Sequence, residues 1–585
     1  MKKFKFKQMT ILVFVVVFSL YSCKAQLQDS TSKQIKIEKG NKEFDKDTLY
    51  LIPQNPENLP INSKNRKDTL IIGIPTPSEV FNPIFAISVS DADVNDVIWE
   101  PMLEIDKNGD ISDGVVSIEN IYYDDKTYFF KVREGMKWED GRDITSKDFE
   151  FTFKVLMDKT YPGSFERDNF DVLGWEKYRD GLSDNIEGFK IIDDTNFSVK
   201  FNSINAKTNY YFERIKPLAF HVYGLDYVQG NAKELEKFNK KPFGNGAYKF
   251  VEYIEGEEVR LVKNEHHYGE IANIKNLILR ITNDTNQLAL LGNGDIDIVR
   301  KGILTNQESI ELLNNMGFIG STITTYLGYG YIAINHKQEI MKDKNVRKAL
   351  AYGLDRKTIV DICFGDFGQV IDIPQNKSSW AYPKNENFVK YDYNLQKAKD
   401  LLEESGWKVG DDGIREKDGK KLILKFLAST PNEVNDILIP IMIDNYKKIG
   451  IKIVVEQMES KTVIQKQKEA QQGKFSYDLA FLFTPFANSD PDCSSRFATN
   501  GTANRTSYSN EKVDKLLKAG LEEFDKEKRK KIYEELYYEL SDDLPYIFLF
   551  EKMKMDIYPS KVKGMDNVSL YRSPHKDLEK IYFED

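Results

Sequence analysis

Cysteine and histidine are scarce, with three Cys and five His in 585 residues. Three thiols cannot build a disulfide framework, and no C-x-x-C pair occurs, so neither disulfides nor a structural zinc site is expected to organise the chain. Cys363 and Cys493 are expected to be free or buried. G-x-S-x-G, H-E-x-x-H and Walker motifs are absent, and five histidines leave little for acid–base work, so an enzyme reading has no motif to start from. Excess positive charge is missing too. The net charge is −9 and the pI about 5.5, which argues against nucleic acid as a partner. Beyond the N-terminus no apolar run approaches the ~18 residues that a membrane span requires. Hydrophobic residues at 41% and charged residues at 30% are ordinary for a globular protein. The length suggests two to four domains at ~150 residues each. Aromatics reach 12%, with 31 Tyr and 36 Phe.

The N-terminus reads as an address. Lys2, Lys3, Lys5 and Lys7 precede an apolar run from Ile11 to Leu20, the pattern of a secretory signal peptide. Leu20-Tyr21-Ser22-Cys23 resembles a lipobox, which implies cleavage before Cys23 and lipidation of its sulfur; an ordinary signal peptide is the alternative. Removing residues 1–22 takes four lysines away and leaves a charge of about −13. Such a body on a lipid foot stands off an anionic surface. Residues 23–67 are polar and read as a flexible tether with little packed structure, Leu49–Ile52 alone resembling a strand.

From Asp68 onward, short strands alternate with medium helices, the pattern of an α/β protein with several lobes. Asp68–Pro75 and Lys126–Arg133 read as strands. Helices are expected over Thr145–Asp158, Asn345–Asp361, Leu395–Ser405 and Glu511–Leu540. His266-His267 is not a metal site by this reading, because adjacent side chains on a strand point apart and no third ligand accompanies them. Asp106–Asp110 begins like a calcium loop, but Ile111 stands where Gly is needed and Ser117 where Glu is needed.

The segment Tyr128–Asp148 (YFFKVREGMKWEDGRDITSKD) carries a more specific resemblance. Arg133, Gly135, Trp138, Asp140, Gly141, Thr145 and Asp148 match the signature of extracellular solute-binding protein family 5, which includes oligopeptide-, dipeptide- and nickel-binding components of ABC importers; Lys131 and Ser146 depart from it. Lys241–Phe250, Leu291–Val299, Lys344–Lys357, Tyr391–Trp407 and Ser541–Leu549 resemble further blocks of that family, in the same order. The resemblance implies a periplasmic-binding-protein-like class II fold, with two lobes, a hinge and an additional domain. Lobe I would comprise 68–99 with 240–322 and 545–585, the additional domain 100–239, and lobe II 323–544.

The function implied is capture of an extracytoplasmic solute, most simply a peptide, between the lobes, and delivery to ABC transporter permease subunits. The protein would be a monomer without cofactor or metal, anchored in the cell envelope through Cys23 and facing periplasm or exterior. An oligosaccharide or metal chelate, or a role in surface adhesion or sensing, are the alternatives. The family's peptide binders pair two extended strands with the peptide backbone and use an acid for its free amine. Those strands would lie near Ser78–Pro83, with Val80, Phe81 and Asn82 at the ligand, and in Tyr477–Asp492, with Leu482, Phe483 and Thr484. Phe483 would be a cleft aromatic or a core ring. The anchoring acid is replaced by Ala487, leaving Asp490 or Asp492 to serve instead. Tyr329, for which strand alternation into a core is the alternative, and Trp380 complete the expected lining.

Overall fold

The computed structural model describes residues 35–40, 47–565 and 576–584, apart from 87, 107, 164, 166, 301 and 486–489. The signal segment, Cys23 and Ala487 lie outside the described residues. Two long strands, β1 (Ile319–Ile334) and β2 (Tyr546–Pro559), run antiparallel through the middle of the molecule. Their pairing slips between Thr325 and Tyr329 and again between Gly330 and Tyr331. Such irregularities bend a strand and sharpen its twist. The first half of β1 pairs with Leu49–Leu51, its second half with Leu479–Pro485. The same two strands thus belong to two bodies and connect them.

The first body is built on a four-stranded sheet, Tyr248–Ile254, Glu258–Lys263, Asn276–Ile281 and Thr69–Ile74. Its core is continuous with that of a second four-stranded sheet, Val116–Tyr122, Thr127–Val132, Asn196–Lys200 and Phe189–Ile191, on which the helix Ser146–Leu156 packs. That helix starts as the sequence predicts. The Thr145 side chain and the Asp148 side chain satisfy each other's backbone N–H groups, closing a capping box. In the second body, Ile423–Ser429 pairs in parallel with Lys452–Met458 and with Leu479–Pro485. The helix Glu433–Lys448 joins the first two, and both faces of the sheet are covered by apolar cores.

Three expectations need correction. Residues 35–40 and 47–67 are not a bare tether. Ile37–Lys39 and Leu49–Leu51 extend the central sheet, Leu51 is buried, and Arg66 forms a partly buried pair with Asp297. Leu49–Leu51 is the strand read at Leu49–Ile52; its partner in the central sheet lies 270 positions away and supplies the hydrogen bonds. The helix expected over Asn345–Asp361 is two, Lys344–Tyr352 and Arg356–Phe364. The helix expected over Glu511–Leu540 is also two, Glu511–Glu522 and Lys526–Asp543. In each case an aspartate restarts the chain. Asp355 accepts from the Thr358 N–H at 3.0 Å, and Asp525 from the Lys528 N–H at 2.9 Å. Capping chemistry inside an unbroken apolar rhythm decides the boundary.

Candidate functional site

The two bodies face each other where β1 leaves the second body. Here Thr484, Tyr329, Glu551 and Gln369 stand directly opposite one another on four neighbouring strands. Opposed residues of antiparallel strands present their side chains on one face. Phe483, Gly330, Phe550 and Val370 form the adjacent row, on the other face. Glycine is required there. A Cβ on Gly330 would lie 2.4 Å from the Phe550 ring, and one on Gly328 2.9 Å from the Phe483 ring.

The predicted residues divide between these rows and elsewhere. Tyr329 and Thr484 are brought side by side. Tyr329 is buried against Tyr331 and Phe548, and burial raises its hydroxyl pKa. Thr484 accepts a hydrogen bond from Arg496, which also reaches the Pro485 carbonyl at 3.4 Å. Leu482 is half-buried on the Tyr329 side. Phe483 is half-buried on the opposite side, 5.3 Å from the Tyr326 ring and 6.2 Å from Phe550, with the Lys552 ammonium 5.3 Å from its centroid. Burial lowers the Lys552 pKa, and its ammonium is also set over Tyr326 and Phe364.

The segment expected to pair with a peptide near Ser78–Pro83 forms no strand, and its donors are spent internally. The N–H groups of Ser78 and Val80 bond to Asp91, and that of Phe81 bonds to the Asn239 carbonyl at 2.8 Å. Phe81 is a core ring, fully buried against Phe250 and Tyr253, and does not line a cleft. Val80 packs against the same core. Asn82 is buried, accepts from the Ile84 N–H through its side-chain oxygen, and leaves its amide nitrogen without a partner. One acidic side chain, Asp91, knots this loop, and nothing in the local sequence marks it for that task.

Asp490 and Asp492 are not free to receive a ligand amine. Asp490 makes a buried two-pronged pair with Arg529 at 2.6 and 2.9 Å and also accepts from the Asp492 N–H. Burial opposes the Arg529 charge, and the Asp490 carboxylate more than offsets it, so the guanidinium pKa lies above its ordinary value. Asp492 takes Lys207 at 3.1 Å and caps Ser494. Trp380 stacks on this network rather than apart from it, with Arg529 5.7 Å from its ring and Tyr533 edge-on at 6.4 Å. Its indole nitrogen is buried without a partner.

The Lys207–Asp492 pair joins the two bodies, and three more contacts accompany it. Asp110 pairs with Lys526 at 2.8 Å, the Ala206 N–H donates to the Leu521 carbonyl at 2.8 Å, and Tyr123 meets Phe524 edge-on at 5.1 Å. These partners lie hundreds of positions apart, so no spacing rule could have paired them. His266 and His267 part as adjacent side chains do, His266 against Gly141 and His267 toward Glu100. Among the described residues Cys363 and Cys493 are free thiols, and burial raises the pKa of both.

A profile of the bacterial extracellular solute-binding proteins, family 5, matches residues 116–505. The oligopeptide-binding protein AppA of Bacillus subtilis is 26% identical over 530 residues, 88% of this chain and 90% of its own. The structure of that AppA with a nonapeptide superposes with a TM-score of 0.72 at 24% identity, covering 89% of this chain and 100% of AppA. The ABC transporter substrate-binding protein CtaP of Listeria monocytogenes gives 0.75 at 22%, over 88% of this chain and 100% of CtaP. NikZ of Campylobacter jejuni with nickel–histidine gives 0.70 at 24%, over the same shares. With a profile that spans most of the chain and a two-bodied frame joined by crossing strands, this protein belongs to the bacterial extracellular solute-binding proteins of family 5.

Proposed function

We propose that the protein captures an extracytoplasmic peptide between its two bodies and hands it to the permease subunits of an ABC importer, with no bond made or broken. Lobe I would comprise 68–99, 240–322 and 545–585, with 100–239 as the additional domain and 323–544 as lobe II. The lipid on Cys23 would hold it at the membrane, facing periplasm or exterior, as a monomer. The observation that carries this reading is the pair of crossing strands, β1 and β2, each shared by both bodies. Such a connection lets two rigid units rotate while their cores stay packed. The contacts named across the junction are two ion pairs, one backbone hydrogen bond and one edge-on ring pair, of a kind that a closure able to reopen can make and break. Among the described residues no helix is long and apolar enough to cross a membrane, so attachment would rest on the N-terminal lipid.

Native mass spectrometry of freshly purified mature protein tests the ligand. Masses of co-purified peptides, displaced by a defined peptide pool, are the expected result. A single non-peptide mass, or no stabilisation by any peptide pool, would overturn the peptide assignment. Cys23→Ala should release the protein from the membrane fraction; retention would refute the anchor.

A further inference from the structure

Away from the junction, a cavity of about 380 Å³ opens in the first body, between residues 56–67 and the C-terminal residues 560–563 and 583–584. It lies at the far end of the crossing strands. The Ser560 N–H bonds to the Phe318 carbonyl, just before β1 begins. Tyr329 stands ten residues beyond Ile319 on that strand, roughly 30 Å further along at the rise of an extended chain. Five cations line the cavity, Lys64, Arg66, Lys67, Lys561 and Lys563, against two carboxylates, Glu57 and Glu584. On a chain of net charge −9 this is a local reversal of sign.

Beneath the floor a single carboxylate, Asp297, serves two of the cations. Arg66 grips it at 2.7 and 3.1 Å, and the Lys561 ammonium stands 3.6 Å away. Asp297 also accepts from the Ile71 N–H at 2.9 Å. Lys561 is buried, donates to the Ser63 and Arg66 carbonyls at 2.6 and 3.1 Å, and lies 4.0 Å from the centre of the Phe583 ring. Burial holds its pKa below the ordinary value, and the nearby Arg66 and Lys67 charges add to that against the pull of Asp297. At the rim, Lys563 pairs with Glu584 at 2.8 Å. With Asp297 counted, five positive charges face three negative ones. An anion in the cavity would offset that surplus, and Phe583, Leu59 and Pro56 offer its body an apolar wall. We infer that this cavity binds a phosphate monoester. Near neutral pH such a group approaches two negative charges, which matches the surplus, and the volume exceeds what a bare phosphate fills. Two sources carry this chemistry, a soluble phosphorylated molecule and a membrane lipid headgroup.

The test titrates the mature protein with phenyl phosphate and with inorganic phosphate by calorimetry, at constant ionic strength in chloride. A parallel arm floats the Cys23→Ala protein, which has no lipid of its own, with phosphatidylcholine vesicles that contain or lack phosphatidic acid. Phenyl phosphate should bind saturably, roughly tenfold more tightly than inorganic phosphate, because its ring is buried against Phe583. Lys64→Gln with Lys67→Gln should weaken binding roughly tenfold or more. Glu57→Gln, which removes an opposing charge, should strengthen it roughly threefold. All three side chains are exposed, so the melting temperature without ligand should hold in these variants. Ester binding that depends on Lys64 and Lys67 assigns the phosphate to a soluble molecule, and flotation that depends on phosphatidic acid and on the same lysines assigns it to a lipid; either result supports the site. No saturable binding of any probe, or binding that the three substitutions leave unchanged, overturns the inference.

Discussion

Two aromatic cores in this protein are built from different rings. Beneath the strand Thr127–Val132 the core is mainly phenylalanine: Phe130, Phe149, Phe153, Phe170, Phe197, Phe201 and Phe212 pack edge to face and in stacks, with Tyr128 and Tyr211 among them. On the Tyr329 face of the crossing strands it is tyrosine: Tyr329, Tyr331, Tyr477, Tyr508, Tyr533, Tyr537 and Tyr546. A phenyl ring asks only to be covered. A buried hydroxyl asks for a partner, and Tyr508 finds Asp543, Tyr537 finds Gln375 and Tyr533 finds Arg529. The first core is suited to holding a shape. The second surrounds charged groups with polar contacts next to the junction.

The sharpest break of this contrast comes from one change on each side. Arg529→Met should strand the Asp490 carboxylate and cost about 3–5 kcal/mol in denaturant unfolding. Adding Asp490→Leu should recover much of that loss, because the unpaired charge goes with it. Phe170→Ala, at the meeting point of five other rings, should cost a similar 3–5 kcal/mol, with no second truncation able to repair the cavity. If the double variant is no better than Arg529→Met alone, the two cores do not differ in kind.

A smaller effect probes a titratable group of the first body, Glu139, whose carboxyl accepts from the Gly244 N–H. Burial pushes the Glu139 carboxyl up to about 7, against the opposing hydrogen bond from the Gly244 N–H. The folded state therefore keeps a proton that the unfolded chain releases at ordinary carboxylate pH. Stability should fall as pH rises from about 4.5 to 7, on the order of 2 kcal/mol in all. Glu139→Gln should flatten that slope, and an unchanged slope would contradict the assignment. Thr145→Ala, which opens the capping box, should cost about 1 kcal/mol. Lys526→Ala removes a pair whose partners are both half exposed, and should change stability by less than ~0.5 kcal/mol.

The family, the strands Thr69–Ile74 and Thr127–Val132 and the capped helix after Thr145 were legible because their signals are local: apolar alternation, paired glycines, a hydroxyl three residues before an acid. The surroundings of the residues read for the site were legible only in part. Thr484 and Tyr329 do meet, yet Asp490 and Asp492 looked available because each is read among its sequence neighbours, while the cations that claim them stand at 529 and 207. Val80 and Phe81 looked like a free edge because Asp91 and Asn239, which take their N–H groups, lie outside any strand pattern.

By itself the chain's order of residues determined what short-range physics can decide: which stretches bury an apolar face, where helices are capped, and which family's pattern they follow. Which carboxylates are already neutralised, which aspartates restart a helix within an apolar rhythm, and that Leu49–Leu51 pairs with the central sheet were decided only when distant segments came together. Coulomb and hydrogen-bond energies depend on separation in space, and separation along the chain carries no record of it.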